Sequence, residues 1–457
     1  MTATATRSGT GSAHDAGAAD LERLAGYPHV VVSWVGDDGY PVSVATSFET
    51  DADAGAVRLT APAGIPIPAD REVSVTGSHI HPQPGIGYDE RRYLQLWGRV
   101  TGGSRFTPAR AWGWDETEMP FFEYSERSVP QSRRYLAALS REKGRTIRPR
   151  LDPFWLALRT TRLPFLSATA VPVLLGIAVA ASHGAFTWWT ALLTVIGGAF
   201  AHLAINVTND VFDTLSGADD ANPNPTQFSG GSRVAVYDLV SVRGLAWLAA
   251  GLFAVAAAIG LALVAVTGSM ILLWIGVAGI ALGLAYTAPP LKLVYRGLGE
   301  LAVALGFGPI MLLGAYVVQT GSLAWEPVVL SFVPGILISL ILFVNEIPDR
   351  SGDAQAGKRT LPVRFSPDVV RTAYLVGGLA AFAIIAAGVI GGLLPWTTLI
   401  ALAAVPIVFR VHQGLKVHYD SPYTLMAVMG TNVNLNLAVG GLLLVAYVAT
   451  IVAMQLA

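Results

Sequence analysis

Cysteine is absent from the 457 residues, which excludes disulfides, thiolate metal sites, cysteine nucleophiles and Cys-ligated iron–sulfur clusters. Charge is scarce as well. Asp, Glu, Lys and Arg make up 13% of the chain, about half of the roughly 25% usual in soluble domains. The formal net charge of −1 leaves no global basic field to draw nucleic acid. Apolar residues, by contrast, reach 53% and mean hydropathy is +0.52, which disfavours a wholly soluble enzyme.

The scarcity is uneven. Residues 1–150 hold 17 of the 30 Lys+Arg and 18 of the 31 Asp+Glu, leaving 13 and 13 for the other 307 positions. A soluble N-terminal part and a membrane part follow. Residues 1–20, with no apolar core of signal-peptide length, read as a disordered tail.

Short β-rich runs at 29–36, 40–49, 56–61, 71–77 and 91–100, punctuated by turn chemistry such as Asp37-Asp38-Gly39, predict a small soluble β-barrel over 21–127. The arrangement resembles the pyridoxamine-phosphate-oxidase-like split barrel, a family that often holds flavin-type cofactors. Arg58, Arg91, Arg92 and Arg99 could face a phosphate there, although arginines on strands are more often solvated edge or outer-face residues. His79 and His81 could ligate a metal from one strand face, but with no third ligand nearby a His- and Pro-rich turn is the better reading.

Residues 128–162 form a basic connector, with Arg133, Arg134, Arg141, Lys143, Arg145, Arg148 and Arg150 ahead of LDPFWLALRTTRLP, suited to an anionic membrane surface. Apolar spans then recur at about 163–182, 187–207, 244–266, 270–288, 298–318, 326–344, 370–393, 396–410 and 436–456, predicting a multi-pass all-α bundle of nine transmembrane helices. Lys and Arg fall only in alternate connections, so the positive-inside rule predicts a cell (inner) membrane protein with a cytoplasmic N-terminal domain and an external C-terminus.

Acids follow the same asymmetry. Of the 13 after Leu151, Glu326 alone lies in an outer connection. At the end of the second span, Asn206, Asp210 and Asp213 fall at i, i+4 and i+7, with Asn209 and Asp219 close by. At the end of the sixth, Asn345, Asp349 and Asp353 fall at i, i+4 and i+8. Carboxylates sharing one face of an apolar helix are costly unless occupied. Solvated loop acids would not continue both helices in register. All-oxygen carboxylate and amide donors point to Mg²⁺ rather than zinc, and Mg²⁺ favours phosphate oxygens. Arg233 in SGGSR, Lys292 after APPL, and Lys358-Arg359 in AGKRT are cations suited to a diphosphate, although Lys292 serves equally well as a positive-inside anchor.

NxxNDxxDxxxGxD, YTAPPLKLVYRGLGE and NEIPDRSGDAQAGKRTLPVR closely resemble the UbiA superfamily of intramembrane prenyltransferases over about residues 150–457. Within it, GGSR, GLGE and GKRTLPVR look most like the 1,4-dihydroxy-2-naphthoate prenyltransferases of menaquinone synthesis. The resemblance implies a nine-helix bundle that binds an isoprenyl diphosphate through Mg²⁺ beneath a small cytosolic cap. Matched by position, Asp210, Asp213, Asp219, Asn345, Asp349 and Asp353 hold the metal, with Asp210, Asp213, Asp349 and Asp353 catalytic. Asn206, Asn209, Arg233, Lys292, Lys358 and Arg359 hold the diphosphate. Gly217 stands where the common first motif has a third Asp, a duty that can pass to Asp219, and Glu346-Ile347-Pro348 departs from the usual second motif.

The implied reaction is ionisation of the diphosphate and capture of the allylic cation by an electron-rich aromatic acceptor. Tyr286, Tyr295 and Glu300 lie where that acceptor could be held. Two alternatives remain: a terpene cyclase, if capture comes from within the prenyl chain, and a transporter with a regulatory cytosolic domain.

Overall fold

The computed structural model describes residues 13–82, 88–147, 151–222 and 224–456. They form two compact units that divide between Ser132 and Arg133.

In the first unit, β1 (His14–Asp15) and α1 (Ala18–Ala25) precede β2 (Val30–Val35), β3 (Pro41–Asp51), β4 (Ala56–Thr60), β5 (Val73–Pro82), β6 (Tyr88–Thr101) and β7 (Arg105–Asp115). The strands pair antiparallel in the order β7-β4-β3-β2-β5-β6, and β6 pairs back onto β7 to close the ring. Period-two alternation sends Val30 and Val32, Val73 and Val75, and Leu94 and Leu96 into one core. The strand β7 lies outside the five predicted runs because Pro108 and Gly113 interrupt its pattern. A register shift at Trp97/Gly98 accommodates the proline opposite Gly98.

Residues 13–20, expected in the tail, are structured instead. His14 and Asp15 pair with Ala111 and Arg110, and the Asp20 carboxylate accepts from the Gly17 N–H at 3.0 Å and pairs with His14. Residues 1–12 of the expected tail lie outside the described residues.

The four arginines do not form a phosphate cradle. Arg58 pairs with Glu49, Arg91 with Glu116, Arg92 lies over the Tyr27 ring and Arg99 donates to the Asp70 carbonyl. The surface groove lined by Arg58, Pro62 and Gly103 includes none of the other three. The residues present therefore do not fit a phosphate-anchored flavin. His79 is paired with Glu90 at 3.2 Å.

The helix α2 (Phe121–Glu142) crosses the division and carries Arg133, Arg134 and Arg141 of the basic connector. Arg148 and Arg150 lie outside the described residues. In the second unit Asp152 caps α3 (Pro153–Thr161) by accepting from the Trp155 N–H at 2.7 Å. Then come α4 (Ser167–Ser182), α5 (Trp188–Ser216), the short α6 (Ala218–Ala221), α7 (Val242–Thr267) and α8 (Met270–Thr287). A π-helical segment, Gly306–Ile310, joins α9 (Gly299–Leu305) to α10 (Met311–Thr320) as one span. After α11 (Trp325–Gln355), α12 (Leu361–Arg364) and α13 (Pro367–Ile390), a 3₁₀ segment at Trp396–Ala404 leads into α14 (Val405–His418), and α15 (Pro422–Leu456) closes the chain.

Among the described residues eight helical spans are long and apolar enough to cross a membrane, and α4 is an apolar helix of 16 residues. Apolar side chains cover the outer surface as well as the core: Trp247, Leu261 and Trp274 are all exposed, as expected where lipid is the solvent. Small residues let the spans meet closely. A Cβ on Gly308 would lie 2.5 Å from the Ser331 carbonyl oxygen, and one on Gly335 2.5 Å from that of Ala304.

Four predicted boundaries move. The second span continues from 207 to Ser216, the sixth from 344 to Gln355 and the eighth from 410 to His418, and the last begins at Pro422 rather than 436. Polar residues truncate a hydropathy reading, whereas a helix satisfies its own backbone and carries on. In α15 the polar stretch is bonded to its neighbours: Asn432 donates to the Leu340 carbonyl and accepts from the Tyr374 hydroxyl.

Candidate active site

The extensions of α5 and α11 carry the acids. On α5, Asn206, Asn209, Asp210 and Asp213 share the last turns before Gly217, whose φ of 78° ends the helix and turns Asp219 inward on α6. Asp210, Asp213 and Asp219 are all buried. On α11, Asn345 and Asp353 are buried and Asp349 is half-buried.

A four-residue loop, Gly230-Gly231-Ser232-Arg233, joins the two clusters. The Gly230 N–H donates to Asp349 at 2.8 Å, and the Ser232 N–H lies 3.3 Å from both Asp210 oxygens. Gly231 has φ 68°, and a Cβ there would sit 2.9 Å from both Asp219 oxygens and 3.1 Å from Asp210 Oδ1. Only glycine fits this position without strain. Asn222, which the motif reading passes over, donates its amide to Asp349 at 2.7 Å.

Lys358 lies between the motifs. Its Nζ is 3.2 Å from Asp213 Oδ2 and 3.7 Å from Asp353 Oδ1. Burial works against the ammonium, but Asp213 and Asp353 outweigh it and hold the lysine above its ordinary pKa. Burial, with Asp213 and Asp210 adding to it, pushes the Asp219 carboxyl well above the usual range. Among the described residues no three acids or histidines already surround one point closely enough to hold an ion. The acids instead leave oxygens open: Asp219 Oδ2, Asp353 Oδ2 and Asn345 Oδ1 are buried without a hydrogen-bond partner. Hard oxygen donors so placed fit a divalent cation of the Mg²⁺ type.

The other proposed ligands are distributed differently from Lys358. Arg233 donates to the Asp219 carbonyl at 2.6 Å and lies over the Tyr237 ring. Lys292 lies over Tyr295, and Arg359 is exposed. Tyr295, expected on the acceptor side, donates its hydroxyl to Asp213 at 2.9 Å. Asn209 also donates to Asp213, at 3.1 Å.

A cavity of about 510 Å³ opens from this cluster. Its polar end includes Asn206, Asp213, Asp219, Asp349, Asp353 and Lys358. Beyond Tyr286 and His202 the lining turns apolar, through Phe307, Ile280, Gly276 and Leu272. Arg162, Glu346 and His202 also line it, and the motif spacing singled out none of them. Arg162 is directed there by a left-handed backbone at φ 54°, which no side-chain pattern announces. Charge at one end and apolar walls along the rest suit a ligand with an anionic head and a hydrocarbon tail.

The family model described as the UbiA prenyltransferase family matches residues 169–431. The chain belongs to the UbiA prenyltransferase family. It is 30% identical over 304 residues to 2-carboxy-1,4-naphthoquinone phytyltransferase of Synechocystis sp., a match covering 65% of this chain and 94% of that one. It is 33% identical over 239 residues to 1,4-dihydroxy-2-naphthoate octaprenyltransferase of Mycobacterium tuberculosis, covering 52% and 78%. Among solved structures it is similar to the apo form of a UbiA homologue from Aeropyrum pernix K1, with a TM-score of 0.48 and 19% identity over 61% of this chain and 97% of that one. This UbiA member is thus a membrane-embedded prenyltransferase enzyme.

Proposed function

We propose that the enzyme transfers an isoprenyl group from a polyprenyl diphosphate to an aromatic acceptor of the quinone-precursor type within the bilayer, with Mg²⁺ as its cation. The observation that carries the reading is the junction of two acid clusters, with open buried oxygens, at the mouth of an otherwise apolar cavity. The acceptors named for the relatives, a 2-carboxy-1,4-naphthoquinone and a 1,4-dihydroxy-2-naphthoate, favour a bicyclic aromatic acceptor.

Asp210, Asp213 and Asp219 on one side and Asn345, Asp349 and Asp353 on the other would hold the cation and, through it, the diphosphate. The bound cation would supply charge stabilisation for the departing diphosphate. Lys358 adds a fixed positive charge beside it, and Asn206 and Asn209 offer amides to phosphate oxygens. The apolar walls exclude water from the allylic cation, so that carbon rather than water captures it. The alternation of Lys and Arg favours the acid clusters and the N-terminal domain on the cytoplasmic side.

The test is incubation of the purified full chain and Mg²⁺ with geranylgeranyl diphosphate, with and without 1,4-dihydroxy-2-naphthoate, following diphosphate and lipid products. Acceptor-dependent release with a prenylated naphthoquinol is expected. Asp210→Asn and Asp349→Asn should abolish turnover while leaving membrane insertion intact. Acceptor-independent release of a cyclic hydrocarbon would replace transfer with cyclisation.

A further inference from the structure

Glu346 is a polar group in the cavity wall that the metal and diphosphate assignments leave unused. It is 4% exposed, and neither carboxylate oxygen has a hydrogen-bond partner. Glu300 is 8% exposed, has an open Oε1, and lies within electrostatic range of Glu346. The Ser339 hydroxyl, on α11 with Glu346, donates to the Glu300 carbonyl at 2.9 Å and fixes the two segments together. Tyr286, in the field of both acids, also lines the cavity.

Open acceptor oxygens in an apolar interior are costly, and the cost is lifted by a ligand that brings donors. The hydrocarbon tail has none, and a diphosphate brings acceptors and negative charge. The remaining substrate is the aromatic one. We infer that Glu346, backed by Glu300, receives a hydroxyl group of the acceptor and thereby sets its orientation. The inference rests on the transferase reading above. A quinol offers O–H donors to the open oxygens of the Glu346–Glu300 pair. The pair therefore turns the ring to meet the allylic carbon. Sequence spacing hid this residue because Glu346 stands one position after Asn345, inside a motif whose acids were already assigned to metal.

The experiment compares two acceptors, 1,4-dihydroxy-2-naphthoate and 1-hydroxy-2-naphthoate, with geranylgeranyl diphosphate and Mg²⁺, in the wild type, Glu346→Gln, Glu346→Ala and Glu300→Gln. A site built to bind a hydroxyl rejects the analogue lacking it by about a hundredfold or more. The wild type should show that preference in kcat/KM, and the Glu346 variants should lose most of it. Their KM for the dihydroxy acceptor should rise about tenfold or more while KM for the donor stays within about twofold. Glu300→Gln should give the same pattern, weaker. Circular dichroism and a thermal melt verify folding, and Glu346→Gln preserves the side chain's shape.

A parallel rise in donor KM or in the Mg²⁺ requirement would assign Glu346 to the metal and overturn the inference, as would an unchanged acceptor preference. Either result leaves prenyl transfer standing. A wild type that prenylates neither arene overturns the transferase reading and the inference together.

Discussion

Carboxylates lie at both ends of the helix bundle, half-buried at one and buried at the other, and the two ends treat them in opposite ways. At the end remote from the motifs, Glu326 is fully bonded: Oε2 meets His183 at 2.7 Å and Oε1 accepts from the Tyr447 hydroxyl at 2.8 Å. The other ring nitrogen of His183 meets the Tyr316 hydroxyl at 2.8 Å, so one acid ties together α10, α11, α15 and the end of α4. At the motif end, Asp219, Asp353 and Glu346 all keep at least one oxygen without a partner. A structural acid is complete in the protein alone, whereas the motif acids need something the chain does not supply. The same residue type therefore carries different functional weight according to whether its lone pairs are already used.

The largest test of that contrast is Asp353→Asn. Its Oδ2 has no partner to lose, and Asp213, at 3.2 Å, still pairs with Lys358 once the Oδ1 charge 3.7 Å away is removed. Turnover should fall by about a thousandfold or more, in line with losing electrostatic stabilisation at the departing group, while the melting temperature holds or rises. A large loss of stability with activity retained would show Asp353 to be structural after all.

The reverse is expected of Glu326→Ala. It strands the Tyr447 hydroxyl and one His183 nitrogen, which should cost about 1–3 kcal/mol of stability. Because these groups lie at the far end from the acid clusters, KM for both substrates should stay within about twofold. A change in kinetics without a change in melting temperature would break the comparison.

Much of this division was legible in the chain. The carboxylate spacing Asp210/Asp213 and Asp349/Asp353 is a helical property, visible in any α-periodic segment, and the uncharged outer connections made Glu326 conspicuous. The partners were not legible. Asn222 and the Gly230 amide reach Asp349 across more than a hundred residues of sequence, and only tertiary packing brings them there. Tyr295 was assigned by neighbourhood in sequence to the acceptor, yet its hydroxyl reaches back to Asp213 on α5. Strand β7 escaped because Pro108 and Gly113 broke its alternation, a signal that a bulge can absorb but a pattern cannot.

The smallest effect concerns the cavity wall between the two ends. Gly276 lines the apolar arm, and a Cβ placed on it meets nothing within 4 Å. It also sits within α8, where glycine costs roughly 0.5–1 kcal/mol relative to alanine. Gly276→Ala should therefore raise stability by about that amount, with geranylgeranyl transfer unchanged within about twofold, since one methyl group narrows the arm slightly. Far-end bonding and cavity space would then be separable: Glu326→Ala lowers the melting temperature through lost hydrogen bonds, and Gly276→Ala raises it through the helix backbone alone. A fall in stability on Gly276→Ala would mean that the space is closed in solution, and that the apolar arm is narrower than the tail it is proposed to take.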